Sequence, residues 1–307
     1  MHIFYFIKYF DPGFQPYWIK IRDMNSVFIF DLEDSIMKVN NQQATNSLKV
    51  KYRKILSRIL LDSDEFKKYN LAIRLNQLDS SYYEEDIDLL KRIGSLRWHT
   101  IILPKMESKA QLDKALQDLK NASVQFENLG ILIETNAGIE FIRKLKISNY
   151  KSLKYVLFGH ADFNLDNDLF PFYNQDTELY WTWIDKFKFL ISQPDIVFIN
   201  PPILQLNRLD ILGYSLKRIS QIFGDKFGQI TLTKRQTDFC QGFSLGDKYP
   251  LTLSGIYEGD YKVLASNLVE RGYGNPSDKS FVLDPIEQYI SPQELILAQR
   301  YLDKTER

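Results

Sequence analysis

The chain has 307 residues, with Lys+Arg and Asp+Glu both at 39, so its formal net charge is zero. A neutral chain builds no field that draws nucleic acid or an anionic membrane. Its single cysteine, Cys240, excludes an internal disulfide and a cysteine metal cluster, and reads as a buried or idle thiol. No apolar run approaches the ~18 residues of a membrane span. MHIFYFIKYF is too short for a leader and holds a lysine, so a cytoplasmic protein is expected. The length suits one barrel with extras or two smaller domains, and 21 Phe with 18 Tyr can fill a sizeable core.

The first expected strand covers residues 3–10, IFYFIKYF, closed by Asp11-Pro12-Gly13. Seven more apolar runs follow: VFIFDLED, LAIRLN, TIILPKME, GILIET, YVLFGHAD, DIVFIN and GQITLT. Each ends in polar residues, at Asp31/Glu33/Asp34, Arg74/Asn76, Lys105/Glu107, Glu134, Asp162, Asn200 and Thr231/Thr233. Such runs are buried on both faces only as parallel strands covered by helices. The intervening stretches 49–61, 83–93, 109–120, 138–145, 179–191 and 209–223 have helical spacing and are long enough to cross back over a sheet. The pattern predicts an α/β chain, a (β/α)8 TIM barrel over residues 1–240, with chemistry at the C-terminal strand ends. Residues 241–274 carry no clear pattern. A last amphipathic helix spans 291–304, opened by a Ser291 cap and Pro292. Residues 241–307 are therefore expected to form a C-terminal helical extension serving as lid or oligomerisation segment.

In a barrel, the ends of successive strands converge. Glu134 and Asp162 end neighbouring strands and suit Mg²⁺, a hard ion that takes oxygen ligands and leaves positions for substrate. The competing reading makes them ordinary strand ends paired with lysines. Arg74 can hold a substrate carboxylate through a bidentate fork. A metal beside an arginine is what a 2-oxo acid needs. Asp31, Glu33 and Asp34 either support the metal or supply a favourably charged helix start. Lys105 reads as a salt-bridged or surface lysine before a Schiff base, and His160 as a histidine of the core or just behind the site before a ligand or base. Gly159-His160-Ala161 looks permissive for a tight turn. With no GxGxxG and no P-loop, a dinucleotide or nucleoside triphosphate site has no support.

Five segments, FIFDLEDS (28–35), IRLN (73–76), ILPKMES (102–108), ILIET with a following GI (131–139) and FGHADF (158–163), occur in the order and at the spacings of one known family. They resemble the HpcH/HpaI aldolase / citrate lyase beta subunit family. The resemblance implies a TIM barrel of the phosphoenolpyruvate/pyruvate superfamily, assembled as trimers or hexamers. It implies Mg²⁺ on Glu134 and Asp162, Arg74 on the substrate carboxylate, and cleavage or formation of a C–C bond beside a 2-oxo acid. We expect Arg74, Glu33 and Asp34 in the catalytic set, and Arg74, Asp31 and Lys105 against substrate.

Two departures narrow the reading. Where the family reads GFxGKxxIHPxQ, this chain has KFGQITLTKRQ (226–236), with Gln229 for the lysine and Thr233-Lys234 for His-Pro. Coenzyme A, a thioester partner of many members, loses support, although Lys234 and Arg235 can substitute. The segment 280–292 resembles the family's lid, yet Ile290-Ser291 precede Pro292 and the lid aspartate is missing; Asp284 and Glu287 are out of register. The expected protein is a Mg²⁺-dependent lyase or aldolase working through a metal-bound enolate of a pyruvate- or oxaloacetate-type acid, with an aldehyde as the other fragment. The alternatives are a non-catalytic or partner-dependent barrel subunit and an ordinary citryl- or malyl-CoA type lyase.

Overall fold

In a computed structural model, residues 1–7, 14–38, 41–62, 64–249, 259–273, 282–283 and 288–305 are described. Eight parallel strands close a barrel in chain order: β1 (His2–Phe6), β2 (Val27–Asp31), β3 (Leu71–Arg74), β4 (Arg97–Leu103), β5 (Gln125–Ile133), β6 (Leu153–Phe158), β7 (Val197–Asn200) and β8 (Phe227–Thr231). The β1–β8 pairing, with Phe4 opposite Ile230, closes the ring. The helices α1 (Phe14–Ile21), α2 (Gln42–Leu61), α3 (Ser81–Arg92), α4 (Lys109–Asn121), α5 (Asn136–Lys144), α6 (His160–Asp166), α7 (Glu178–Asp185), α8 (Leu209–Phe223) and α9 (Lys234–Gln241) follow the strands. The expected TIM barrel is the fold.

Side-chain parity sorts the two faces of each strand. Phe4, Ile29, Ala72, Ile102, Leu132, Leu157, Ile199 and Ile230 point inward and fill the barrel. Phe28, Phe30, Ile73, Ile101, Leu103, Val156 and Phe158 point outward into the main core under the helices. This double burial explains why the strands read as continuous apolar runs. The turns leaving the strands end in caps. Asn41, Ser80, Ser108, Thr135, Thr177 and Thr233 each accept a backbone N–H in the first turn of the next helix, satisfying donors that a helix start leaves orphaned.

The first strand is shorter than predicted, ending at Phe6; residues 8–13 lie outside the described part, so its expected closure at Asp11-Pro12-Gly13 does too. The helix predicted over 179–191 ends at Asp185 and continues as a 3₁₀ turn, Lys188–Ser192. Helices α1 and α9 lie where the sequence pattern gave no helix. The unassigned stretch holds α10 (Tyr261–Tyr273). The short strands β9 (Val282–Leu283) and β10 (Tyr289–Ile290) pair antiparallel, and α11 (Pro292–Thr305) closes the chain. Ser291 Oγ accepts from Glu294 N at 3.1 Å, as a cap should. Ala265 and Leu268 of α10 pack on Leu295 and Ala298 of α11, beside Phe170 beyond α6. Tyr289 N donates to Leu204 O at 2.9 Å, tying the extension to the loop after β7.

Candidate active site

The inward phase of β2, β3 and β5 runs out at Asp31, Arg74 and Glu134, so the parity that fills the barrel also aims these groups at its mouth. Asp31 and Arg74 are direct partners in the β2–β3 register. Arg74 Nε and Nη2 donate to Asp31 Oδ1 and Oδ2 at 2.7 and 2.6 Å, a bidentate fork. Asp31 also accepts from Glu33 N and Ser35 N, both at 3.0 Å. Burial alone would raise its carboxyl; the Arg74 charge and these hydrogen bonds outweigh burial and hold it at about 2. Both Asp31 oxygens are thus committed to orienting Arg74. The remaining guanidinium nitrogen, Nη1, faces Glu33 Oε2 at 3.1 Å and Asp34 Oδ2 at 3.7 Å.

Lys105 ties the next two strands together. Its backbone N donates to Glu134 Oε2 at 2.9 Å, and its ammonium lies 3.0 Å from Asp162 Oδ1. Its backbone adopts φ of 51°, in the left-handed region that side chains seldom occupy, a strain typical of functional sites. Burial would lower the Lys105 ammonium; Asp162, Asp34 and Glu33 overcome it and hold it above the ordinary lysine range. A lysine kept protonated is a charge, not a Schiff-base nucleophile. Gly159 opens β6 for Glu134: a Cβ there would meet Glu134 Cγ at 2.5 Å and Oε1 at 2.6 Å. Its φ is −103°, so this glycine serves close approach and not a turn.

Asp31, Glu33, Asp34, Glu134 and Asp162 converge, all buried, on Arg74 and Lys105, with the Lys49 ammonium behind Asp31, Glu33 and Asp34. Excess buried negative charge is costly, and the carboxyls show it. Burial and then Asp34 push Glu33 up to about 8. Burial, then Asp162 and Glu33, raise Glu134 well above a usual carboxylate. Burial and Asp34 raise Asp162 to about 6 against the pull of Lys105. Glu33, Asp34 and Glu134 offer oxygens all within 4.8 Å of one another. Asp162 is outside that group and is engaged by Lys105 and by Nε2 of Gln293, 2.8 Å from its Oδ2. An all-oxygen, acid-rich set with a glycine-made recess fits a hard divalent cation.

Beneath the acids lies a cavity of about 150 Å³, floored by Phe6, Ile102, Leu132, Leu157 and Ile230. Burial takes His160 down to about 4; its Nε2 lies 3.1 Å from Asn174 Oδ1, the placement of a core histidine.

Sequence reading missed the residues that brace the site from behind. Lys49 of α2 is buried and donates to Leu32 O at 2.8 Å, to Glu33 O at 3.0 Å and to Asn76 Oδ1. Asn76 in turn donates from N and Nδ2 to Asp86 Oδ2, each at 2.7 Å, and Asp86 accepts from Arg53 Nε at 2.8 Å. The available signal was that Lys49 and Arg53 interrupt the buried stripe of α2 shared by Leu48, Leu56 and Leu60. Gln293 was missed as well, because no local pattern shows where α11 lands.

A family model described as HpcH/HpaI aldolase/citrate lyase matches residues 7–176, more than half of the chain. The chain belongs to the HpcH/HpaI aldolase/citrate lyase family. None of the curated proteins matches it in sequence. Among solved structures it is similar to Haloferax volcanii malate synthase in a lead(II) complex, with TM-score 0.62 and 12% identity, covering 89% of this chain and 84% of that one. A citrate lyase from Burkholderia xenovorans gives 0.60 and 12%, covering 99% and 91%. CitE from Mycobacterium tuberculosis, in complex with magnesium and pyruvate, gives 0.57 and 15%, covering 87% and 95%. At these identities the likeness is one of fold.

Against the HpcH/HpaI pattern, the departures have physical content. Gln229, which the resemblance set against the family's lysine and which lies beyond the matched residues 7–176, is buried in the barrel. Its amide donates to Pro201 O and Ile230 O at 2.8 Å and accepts from Asn200 Nδ2 at 2.7 Å. Thr233 caps α9, Lys234 pairs with Asp238, and Arg235 donates to Asn207. Asp284 and Glu287 lie outside the described residues. Among those described, no helix is long and apolar enough to cross a membrane.

Proposed function

We propose that this chain is a divalent-cation-dependent carbon–carbon lyase or aldolase acting on a small 2-oxo acid. The observation that carries the reading is the set of buried acids at the barrel mouth, set against Arg74 and Lys105 over a small apolar cavity. Glu134 and Asp162 would hold Mg²⁺, with Asp34 and Glu33 beside them. When bound, the cation supplies positive charge toward a keto oxygen as the C–C bond opens.

The chain's own residues do the rest. Arg74, fixed in its plane by Asp31, would turn its Nη1 edge, which faces Glu33 and Asp34 in this structure, to the substrate carboxylate. Lys105 holds Asp162 in place and keeps positive charge at the mouth. Leu132, Leu157 and Ile230 exclude water below, so the charges act in a low-dielectric space. The cavity volume suits an acid of pyruvate or oxaloacetate size, with an aldehyde as the second fragment. Coenzyme A is not expected, because Gln229 is turned into the barrel and Lys234 and Arg235 are already engaged. Residues 1–240 form the working barrel and 241–307 its cover, in a homo-oligomer.

Calorimetry with Mg²⁺, then pyruvate or oxaloacetate, tests this. The wild type should bind Mg²⁺ and then the acid. Glu134→Gln should lose roughly tenfold or more in Mg²⁺ affinity. Arg74→Lys should retain Mg²⁺ and bind pyruvate more weakly, since lysine keeps the charge and loses the fork. Equal pyruvate binding by wild type and Arg74→Lys would make Arg74 a structural partner of Asp31 alone. Tight acetyl-CoA binding, lost in a Lys234→Ala/Arg235→Ala double variant, would instead restore an acyl-CoA lyase.

A further inference from the structure

Gln293 is the second residue of α11, and the Ser291 cap and Pro292 fix where that helix starts. The side chain is 2% exposed and reaches across the barrel mouth. Its Nε2 donates to Asp162 Oδ2 at 2.8 Å and to Asp34 Oδ2 at 3.1 Å. Its Oε1 is buried and has no hydrogen-bond partner among the described residues. One neutral side chain thus bridges two carboxylates with its donor end and leaves its acceptor end unmet.

A carboxamide carries a donor and an acceptor on one planar group, and a half-turn about its last bond exchanges them. With Nε2 forward, it puts partial positive charge between Asp34 and Asp162. With Oε1 forward, it would repel those carboxylates unless positive charge lay between them. Amide carbonyl oxygens are ordinary ligands of hard cations. An Asp or Glu here would add to an already excessive negative charge; an apolar residue would offer neither end.

We propose that Gln293 is a ligand of the cation site carried on the C-terminal helix. Its amide donates to Asp34 and Asp162 when the site is free and presents Oε1 to the cation when the site is loaded. This rests on the cation reading given above and adds a residue to it. Cation binding and the seating of α11 are then linked, each strengthening the other.

The test is Mn²⁺ and Mg²⁺ titration of the full chain as wild type, Gln293→Met and Gln293→Glu. Hydrogen exchange of residues 293–298 is followed alongside. Methionine keeps the shape of the side chain and removes both polar ends; glutamate keeps an oxygen and removes the donor. Gln293→Met should bind Mn²⁺ roughly tenfold more weakly, and Gln293→Glu at least as tightly as wild type. Mg²⁺ should slow exchange in the first turns of α11 in wild type and not in Gln293→Met. Equal or tighter binding by Gln293→Met would overturn the proposal, making the amide only a competitor of the cation. Gln293→Glu as weak as Gln293→Met would overturn it too, since then the donor is what counts. A wild type that binds neither ion refutes the cation reading itself.

Discussion

Gly159 has one job at the residue scale, which is to leave room for Glu134. A methyl group there overlaps the flexible end of a side chain and not backbone, so Gly159→Ala should fold, at a cost of roughly 1–3 kcal/mol. Glu134 must move, and Mg²⁺ affinity measured by calorimetry should fall at least tenfold; unchanged affinity would remove Glu134 from the ligand set. Cys240 is the opposite kind of residue, 2% exposed and with burial pushing its thiol up to about 12. Below that value it stays protonated, so at pH 8 the native protein should resist a thiol-directed alkylating agent. Denaturant should expose one reactive thiol; rapid labelling of the native protein would show that α9 opens readily.

At the scale of elements, α2 and α3 act as a brace for the loop after β2. Arg53 sits between Asp86, Glu85 and the Tyr82 carbonyl, at 2.8, 2.6 and 3.0 Å. Asp86 is fully buried and also receives both Asn76 donors. Removing one partner of a buried ion pair leaves the other uncompensated. Arg53→Met should cost about 3–5 kcal/mol in urea unfolding. The double variant Arg53→Met/Asp86→Leu should recover part of that loss. Additive effects of the two substitutions would show that the pair does not act as a unit.

At the scale of the whole molecule, the barrel depends on one long-range seam, where β1 meets β8. Gly228 lies there, and a Cβ would meet Ile199 Cδ1 at 2.6 Å and the His2 carbonyl oxygen at 2.7 Å. Backbone cannot step aside as a side chain can. Gly228→Val should therefore destabilise the fold by at least about 1–3 kcal/mol in chemical denaturation. A variant as stable as wild type would mean that the seam tolerates a shift of β1.

Asp162, expected at a strand end, lies instead in the first turn of α6, past the end of β6 at Phe158; strand order, double burial and the positions of Asp31, Arg74 and Glu134 at strand ends were legible in the sequence. Each follows from local hydrophobic runs and from parity, which need no knowledge of the rest of the chain. The capped start of α11 was legible for the same reason: Ser291 and Pro292 act within one turn. The tertiary structure alone decided which groups meet. Register sets Asp31 against Arg74, so that Asp31 orients the arginine. The brace from Lys49 crosses from a helix to a strand end, and Gln293 reaches Asp34 across 259 residues. Contacts between distant segments depend on barrel closure and helix docking, and no local periodicity encodes them. The same is true of the raised Glu33, Glu134 and Asp162 carboxyls, which come from burial and mutual proximity that exist only once the barrel has closed.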